Sequence, residues 1–197
     1  MTISKRQKEE RKKRQERILS GALEVFKKKG LENATMEEIA NQSGFGTATL
    51  YYYFRSKEEV FIAILENGWH TLWSSLEPII ASAKGPRKTF VHVLLLVATS
   101  IRKRPGLYEF LFNAPKKLIF EEEPWKKYQD RLYATLHQLL EEGVKAGEFP
   151  NIDPKLLFKA MGGLFMGLVL MGDKKDPISE NDIENLLSQL ITNPAKK

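Results

Sequence analysis

The residues best suited to chemistry lie between Thr35 and Phe54, where two short helical patterns flank a glycine-centred turn. Thr35 and Glu38 have the spacing of a capping box, which predicts that a helix begins at Met36. Gly44 can adopt a positive φ at the turn because it has no Cβ. Together these signals predict a helix-turn-helix, in which the second helix enters the major groove of DNA.

The helix after this turn, predicted from about Thr47 to Phe54, carries side chains that suit DNA. Leu50 and Phe54 share one face and should anchor the helix in the core. Three adjacent tyrosines cannot all be buried on so short a helix, and exposed phenol rings suit phosphate oxygens and thymine methyl groups. The residues left to face outward or sideways are Thr47, Ala48, Thr49, Tyr51, Tyr52 and Tyr53. A plain helical hairpin in an all-α protein is the alternative.

The positive charge of the chain is concentrated near its start. The formal net charge is +6. Residues 1–57 hold 13 Lys and Arg against 7 Asp and Glu, whereas residues 58–197 hold 18 of each. The run from Ser4 to Arg17 is the densest part. A basic lobe beside a helix-turn-helix favours a polyanionic partner, and a solvated, solubilising tail is the other interpretation.

Composition excludes several classes of protein. The 197 residues contain no cysteine, which excludes disulfides, thiolate metal sites and cysteine catalysis and suits a reducing cytoplasm. The first residues are too polar for a signal peptide, and the apolar segment from Leu156 to Met171 is shorter than the roughly 20 residues of a membrane span. Three isolated histidines and no catalytic motif lead us to expect no metal site, no cofactor, no membrane partner and no enzyme.

Helical patterns run through the whole chain, and no segment alternates long enough to indicate a sheet. Glycine, proline and capping signals divide it into about nine helices, the first ending at Lys29 before Gly30, so the predicted fold is all-α. We predict a basic arm with a helix-turn-helix domain over residues 1–57. A helical effector-binding and dimerisation domain should fill residues 58–197. A long helix with a capping box at Ser56 should connect them, and Pro78 should kink or end it.

From Thr35 to Val60 the sequence TMEEIANQSGFGTATLYYYFRSKEEV resembles the DNA-binding signature of the tetracycline-repressor (TetR) family. The most specific part is LYYYF followed by SKEE, and the likeness covers about residues 15–65. Gly46-Thr47 departs from the Ser-Lys that the family often carries, which leaves the operator sequence open. The resemblance implies an all-helical homodimer, a palindromic operator and a small-molecule pocket in the C-terminal lobe.

The resemblance also implies DNA contacts by position. Groove contacts would come from Thr47, Ala48, Thr49, Tyr51 and Tyr52, and phosphate contacts from Thr35, Tyr53 and Lys57. Lys57 has an independent reason, because it stands at a helix N-terminus, where free N–H groups favour anions. A solvated first-turn lysine is the alternative.

Glycines inside the apolar helix that should end near Met171 need a reason, because each costs about 1 kcal/mol relative to alanine. Gly163 and Gly167, four residues apart, would let another helix approach closely, either the same helix of a second subunit or, in its place, a bulky ligand. The last helix adds an apolar stripe that includes Leu186 and Leu190. Two such helices from each subunit would form a four-helix dimer interface, and packing within the chain is the alternative.

Aromatic residues are spread over the C-terminal lobe, and most should be ordinary core. Candidates for lining an effector pocket are Trp73, Phe112, Trp125, Tyr128 and Phe165. Such a lining has few charges and favours an apolar or amphipathic effector.

The function indicated is a ligand-responsive transcription factor in the cytoplasm, with repression the expected mode. Its partners would be double-stranded DNA, a second copy of itself and the effector. Two rival classes remain: a helical-bundle enzyme with a basic tail, and a module that binds a partner protein through apolar helices.

Overall fold

A computed structural model of the chain describes residues 4–82, 84–113, 123–170 and 179–190. Within these ranges the protein is all-helical, as predicted, with nine helices and no strand. The helices are α1 (Lys5–Asn33), α2 (Met36–Ser43), α3 (Thr47–Tyr53), α4 (Lys57–Ala81), α5 (Pro86–Lys103), α6 (Pro105–Asn113), α7 (Lys126–Lys145), α8 (Pro154–Leu170) and α9 (Glu180–Leu190). Across the same residues, every helix is too short or too polar to span a bilayer.

The described residues fall into two compact units. The first unit draws on residues 1–68 and 110–125, and the second on residues 69–109 and 126–197. One division therefore lies inside α4, after Gly68, and another lies inside α6. The domain boundary that the sequence predicts after Lys57 does not coincide with a division between these units. As a boundary between the DNA-binding and effector-binding functions, it stays a prediction.

The first unit is built on helices α1, α2 and α3, with α1 packed on α2 and α2 on α3. The rings of Phe26 and Phe61 lie 5.6 Å apart, and Phe110 lies 4.9 Å from Phe61. A Cβ on Gly68 would lie 2.6 Å from the side chain of Leu111, so a larger residue at this position would require Leu111 to move. The first part of α4 and the end of α6 thus complete the core of this unit.

A very close crossing of α1 and α2 lies at Gly21. A Cβ on this residue would lie 2.9 Å from the backbone nitrogen of Ser43, a distance that real side chains do not tolerate. The Ser43 hydroxyl is buried and donates a hydrogen bond to the Ile39 carbonyl at 2.6 Å. A glycine and a small, internally satisfied serine therefore set the spacing between the two helices.

The second unit is built around α5, which packs against α7, α8 and α9, while α7 also packs against α8. Glu148, in the turn after α7, caps the start of α5. Its Oε2 atom accepts from the Arg87 backbone N–H at 2.8 Å, and its carbonyl accepts from the Arg87 guanidinium at 3.2 Å. This pairing satisfies an N–H group that the first turn of a helix otherwise leaves without a partner.

The helix breaks predicted at Gly30 and Pro78 differ in outcome. Gly30 interrupts α1 with φ 74° and ψ 170°, as the predicted break requires, and a short helical segment follows it to Asn33. Pro78 does not end α4, which continues to Ala81.

The capping box expected at Ser56 forms only in half. Ser56 Oγ accepts from the Glu59 backbone N–H at 3.2 Å. The Glu59 carboxylate accepts at 2.6 Å from the backbone N–H of Arg55, not from that of Ser56. Ser56 therefore caps the helix as predicted, and only the reciprocal bond of the capping box is displaced, to the residue before it.

Candidate nucleic-acid interface

The start of α2 has the capping box that the sequence predicts. Thr35 Oγ1 accepts from the Glu38 backbone N–H at 3.2 Å, and Glu38 Oε2 accepts from the Thr35 backbone N–H at 3.1 Å. At the other end Gly44 adopts φ 71° and ψ 35°, the left-handed conformation expected of the turn. The Phe45 backbone N–H then donates to the Ala40 carbonyl at 2.9 Å. These local interactions fix the direction in which the chain enters α3.

Helix α3 is anchored from one side and open on the other. Leu50 is fully buried and Phe54 nearly so, and the Phe54 backbone N–H donates to the Leu50 carbonyl at 2.9 Å. The side chain of Tyr51 is 53% exposed and that of Tyr52 is 71% exposed. The short helix therefore exposes two phenol rings to solvent, while its opposite face is packed in the core.

The remaining predicted groove residues surround these rings. Ala48 is exposed, while Thr47 and Thr49 are half-buried. Tyr53 is also half-buried, and its ring meets that of Tyr52 edge-on at 5.3 Å. The groove contacts assigned to the first three residues and the phosphate contact assigned to Tyr53 stay predictions, but all four residues lie on one short helix.

Two of the predicted phosphate contacts have other bonds within the chain. Lys57 donates from Nζ to the carbonyls of Glu32 at 2.7 Å and Ala34 at 3.0 Å, so it caps the end of α1. An ammonium has three N–H donors, which leaves one for a phosphate. Thr35 is exposed, and its hydroxyl accepts the capping bond while keeping its own proton to donate. Both phosphate contacts remain predictions.

Two arginines of α1 reach this site, and the sequence analysis did not single them out. The guanidinium of Arg11 lies 5.8 Å from the ring centre of Tyr52 and 6.0 Å from that of Tyr53. The guanidinium of Arg17 lies 5.1 Å from the ring centre of Phe45, beside the turn. All three distances suit cation–π contacts. The helical spacing of Arg11, seven residues before the buried Ile18, is the signal that could have identified it.

One carboxyl beside the site has a perturbed pKa. A hydrogen bond from the Lys29 ammonium lowers the pKa of Glu38 below its ordinary value of 4.5. The capping bond to Thr35 lowers this pKa further. The N-terminus of α2 therefore keeps Glu38 ionised over a wider pH range than an isolated glutamate.

The predicted effector residues are divided between the two units. Phe112 and Trp125 belong to the first unit, and Trp73, Tyr128 and Phe165 belong to the second. Trp125 and Phe165 are buried, while Phe112 is half-buried.

Within the second unit, Trp73 and Tyr128 have polar or charged neighbours. Trp73 Nε1 donates to the Glu77 carboxylate at 2.6 Å, and the Arg131 guanidinium lies 5.5 Å from the Trp73 ring centre. The Tyr128 ring lies 5.0 Å from that of His70. An effector role for these side chains stays a prediction.

The predicted dimer residues on α8 are uncovered within the chain. Among the described residues, a Cβ on Gly163 or Gly167 would meet no atom within 4 Å, so none of the described helices explains either glycine. Leu156, on the same helix, is 60% exposed. Leu186 of α9 is half-buried, and the side chain of Leu190 lies outside the described part of the structure.

Comparison with known proteins identifies the family. Residues 18–64 match the family described as bacterial regulatory proteins, tetR family. The helix-turn-helix transcriptional regulator YfiR of Bacillus subtilis is 28% identical over 187 residues, covering 87% of this chain and 88% of YfiR.

Two solved structures share the fold. The TetR-family regulator PfmR of Thermus thermophilus has a TM-score of 0.72 at 22% identity, covering 88% of this chain and 95% of PfmR. The regulator FadR of Bacillus subtilis, solved with stearoyl-CoA, has a TM-score of 0.70 at 20% identity, covering 87% of this chain and 96% of FadR. The helix-turn-helix and its sequence match agree, and residues 18–64 of this chain form a DNA-binding domain of the TetR family, within an all-helical fold shared with PfmR and FadR.

Proposed function

We propose that the protein is a repressor that binds a palindromic operator as a homodimer and is released by an apolar small molecule. The observation that carries this proposal is the exposure of Tyr51 and Tyr52 on a helix whose other side is fixed by Leu50 and Phe54. Such a helix can enter a major groove without any rearrangement of the side that is packed against the protein core. The absence of cysteine from the sequence fits a regulator that works in the cytoplasm.

A second copy of the chain is the partner that the α8 surface favours. Gly163 and Gly167 have open space above them, and Leu156 is largely exposed on the same helix. Helix α9, which packs on α5, adds Leu186 at half burial. Two helices from each subunit would then form a four-helix interface, and its twofold symmetry would match an inverted repeat in DNA.

An apolar or amphipathic effector suits the residues assigned to the pocket. Trp125 and Phe165 are buried aromatic side chains, and Met161 is a buried, adaptable one. The relative FadR was solved with stearoyl-CoA, which has a long apolar chain. Fatty acyl compounds are therefore one effector class for this chain, beside drug-like and other aromatic compounds.

Release requires two forms of the dimer that differ in the spacing of their α3 helices. One form would hold the two helices about 34 Å apart, which is one turn of DNA. The effector would favour the other form, and only its difference in affinity between the two forms can shift the balance. We assign α4, which contributes residues to both units, as the element that transmits this difference.

A salt titration tests the DNA-binding part of this proposal. Affinity for duplex DNA should fall steeply as salt rises, because each neutralised phosphate releases counterions. A module that binds another protein through apolar helices would lack this dependence. A flat salt response would therefore favour that module and contradict the proposal.

Mass spectrometry of the natively purified protein tests the effector part. We expect a co-purified compound with a long apolar or aromatic portion, and adding this compound should release the protein from DNA. A compound that binds equally well to the free and the DNA-bound protein would not be the effector.

A further inference from the structure

The N-terminal half of α1 extends from the folded core as a polar arm, which we define as residues 4–17. Every side chain from Ser4 to Arg14 is exposed. A capping box between Ser4 and Gln7 starts the helix, with bonds of 3.2 Å and 2.9 Å. A helix that is polar on all sides gains little stability from packing, so packing does not account for its sequence.

The faces of the arm are set by the buried residues that follow it. Ile18 and Ala22 are fully buried in the first unit. Arg11 lies seven residues before Ile18 and therefore on the same side of the helix. Lys8 and Arg14, three residues on either side of Arg11, point within about 60° of it, at 100° per residue.

The contact of Arg11 with α3 gives this face a location. Its guanidinium lies over the rings of both Tyr52 and Tyr53, at 5.8 Å and 6.0 Å. The face that carries Arg11 is therefore continuous with the exposed surface of α3. We call Lys8, Arg11 and Arg14 the inner face of the arm.

Charge differs between the two sides of the arm. Arg6 and Lys13 point about 140° to 160° away from Arg11, and so do the acidic residues Glu9 and Glu16. Arg6 pairs with Glu10 at 3.3 Å, while Lys13 has no ion-pair partner among the described residues. Among the described residues, neither Lys8 nor Arg14 has an ion-pair partner. The inner face therefore holds cations that are free to meet an external anion.

We propose that the inner face of the arm binds backbone phosphates of the duplex that flank the base pairs contacted by α3. The inference rests on the proposed function, since it needs α3 to lie in the groove. DNA is the partner favoured here because the arm continues the α3 surface and because phosphates match both lysine and arginine donors. Arg11 joins the two contact surfaces.

Two charge-matched double variants test this assignment. Lys8→Gln with Arg14→Gln removes one lysine and one arginine from the inner face, and Arg6→Gln with Lys13→Gln removes the same pair from the opposite side. All four residues are exposed, so both variants should fold like the wild type, as checked by circular dichroism. The probe is a duplex that the wild-type protein enriches from a randomised pool, and affinity is measured by fluorescence anisotropy over a range of salt concentrations.

The inner-face variant should bind this duplex about 10- to 100-fold more weakly near 0.1 M salt, with its salt slope reduced by about 1.8. The opposite-side variant should stay within about threefold of the wild type, with its slope unchanged. If the wild type showed a steep salt dependence but both variants lost duplex affinity equally, or neither lost any, this inference would be overturned while the proposed function would stand. Binding to phosphatidylglycerol vesicles is measured in parallel. If the inner-face variant lost affinity for the vesicles but not for the duplex, the inference would also be overturned. If the wild type lacked salt-dependent affinity for the duplex, the proposed function would be overturned as well.

Discussion

Tyr51 and Tyr52 are the residues whose surroundings say most about function. In the first unit, they are the large aromatic side chains that the described structure leaves mostly in solvent. Leu50 beside them is completely buried, so the exposure follows from helix geometry and not from loose packing. A phenol ring offers both an apolar face and a hydroxyl group, which together suit thymine methyl groups and phosphate oxygens.

Replacing Tyr51 with alanine should weaken specific DNA binding by about 1–3 kcal/mol, because it removes a contact made inside the groove. Stability should change little, since the side chain is exposed. Isothermal titration with an enriched duplex measures the loss. Tyr133→Ala, which removes an exposed tyrosine from the second unit, is the control and should leave DNA affinity unchanged. Equal affinities for the Tyr51 variant and the wild type would remove this residue from the groove.

Glu38 makes a pH-dependent contribution to stability whose sign follows from its lowered pKa. The folded protein holds this pKa below 4.5, chiefly through the bond to Lys29. The contribution is therefore fully present above the unfolded pKa and is lost as pH falls through the lower, folded pKa.

The variant Glu38→Gln lacks this ionisation. It should be less stable than the wild type at about pH 6, and the difference should shrink at about pH 3.5. Urea denaturation at the two pH values measures the difference, with Glu37→Gln as the exposed neighbouring control. A difference that grows on acidification would contradict the lowered pKa.

At the scale of helices, the features predicted correctly from the sequence are those that depend on interactions between residues close together in the chain. The Thr35 capping box and the left-handed Gly44 depend on residues three or four apart, and both were predicted correctly. The close crossing of Gly21 with Ser43 was missed because it joins residues 22 positions apart. The same holds for Lys57, whose bond to the Glu32 carbonyl spans 25 residues and depends on the packing of α4 near the end of α1.

Helix α4 should be destabilised by its own proline. Pro78 lies inside the helix and has no backbone N–H to donate to the Ser74 carbonyl. Pro78→Ala should raise the free energy of unfolding by up to about 3 kcal/mol. The gain should be smaller than this upper value because Pro78 lies close to the end of α4 at Ala81. Thermal unfolding measures the change.

Pro86→Ala provides the matched control for this prediction. Pro86 is the first residue of α5, where a missing N–H costs nothing. That variant should therefore show no gain. If it gained as much stability as Pro78→Ala, the lost hydrogen bond would not be the cause.

At the scale of the whole molecule, the described part of one chain gives no packing reason for the glycines of α8. Gly162 and Gly163 both have open space where a Cβ would stand, and each costs helix stability. A second subunit seated on the face of Gly163 and Gly167 would supply the reason, because glycine lets two helices approach closely.

Gly163→Leu should weaken the homodimer by about tenfold or more, which corresponds to about 1.4 kcal/mol. Gly162→Leu, one residue away and pointing about 100° aside, should leave dimerisation intact. At the Cβ position, neither side chain would clash with the described residues of its own chain. Sedimentation equilibrium distinguishes the two variants, and dimers of equal strength would place the interface elsewhere.

Selection of duplexes from a randomised pool by the wild-type protein tests the central claim most directly. Two α3 helices related by twofold symmetry should enrich an inverted repeat whose half-site centres lie about 10 base pairs apart. A pool that shows no enrichment, or that yields a single unrepeated motif, would contradict a dimer that presents α3 to DNA twice.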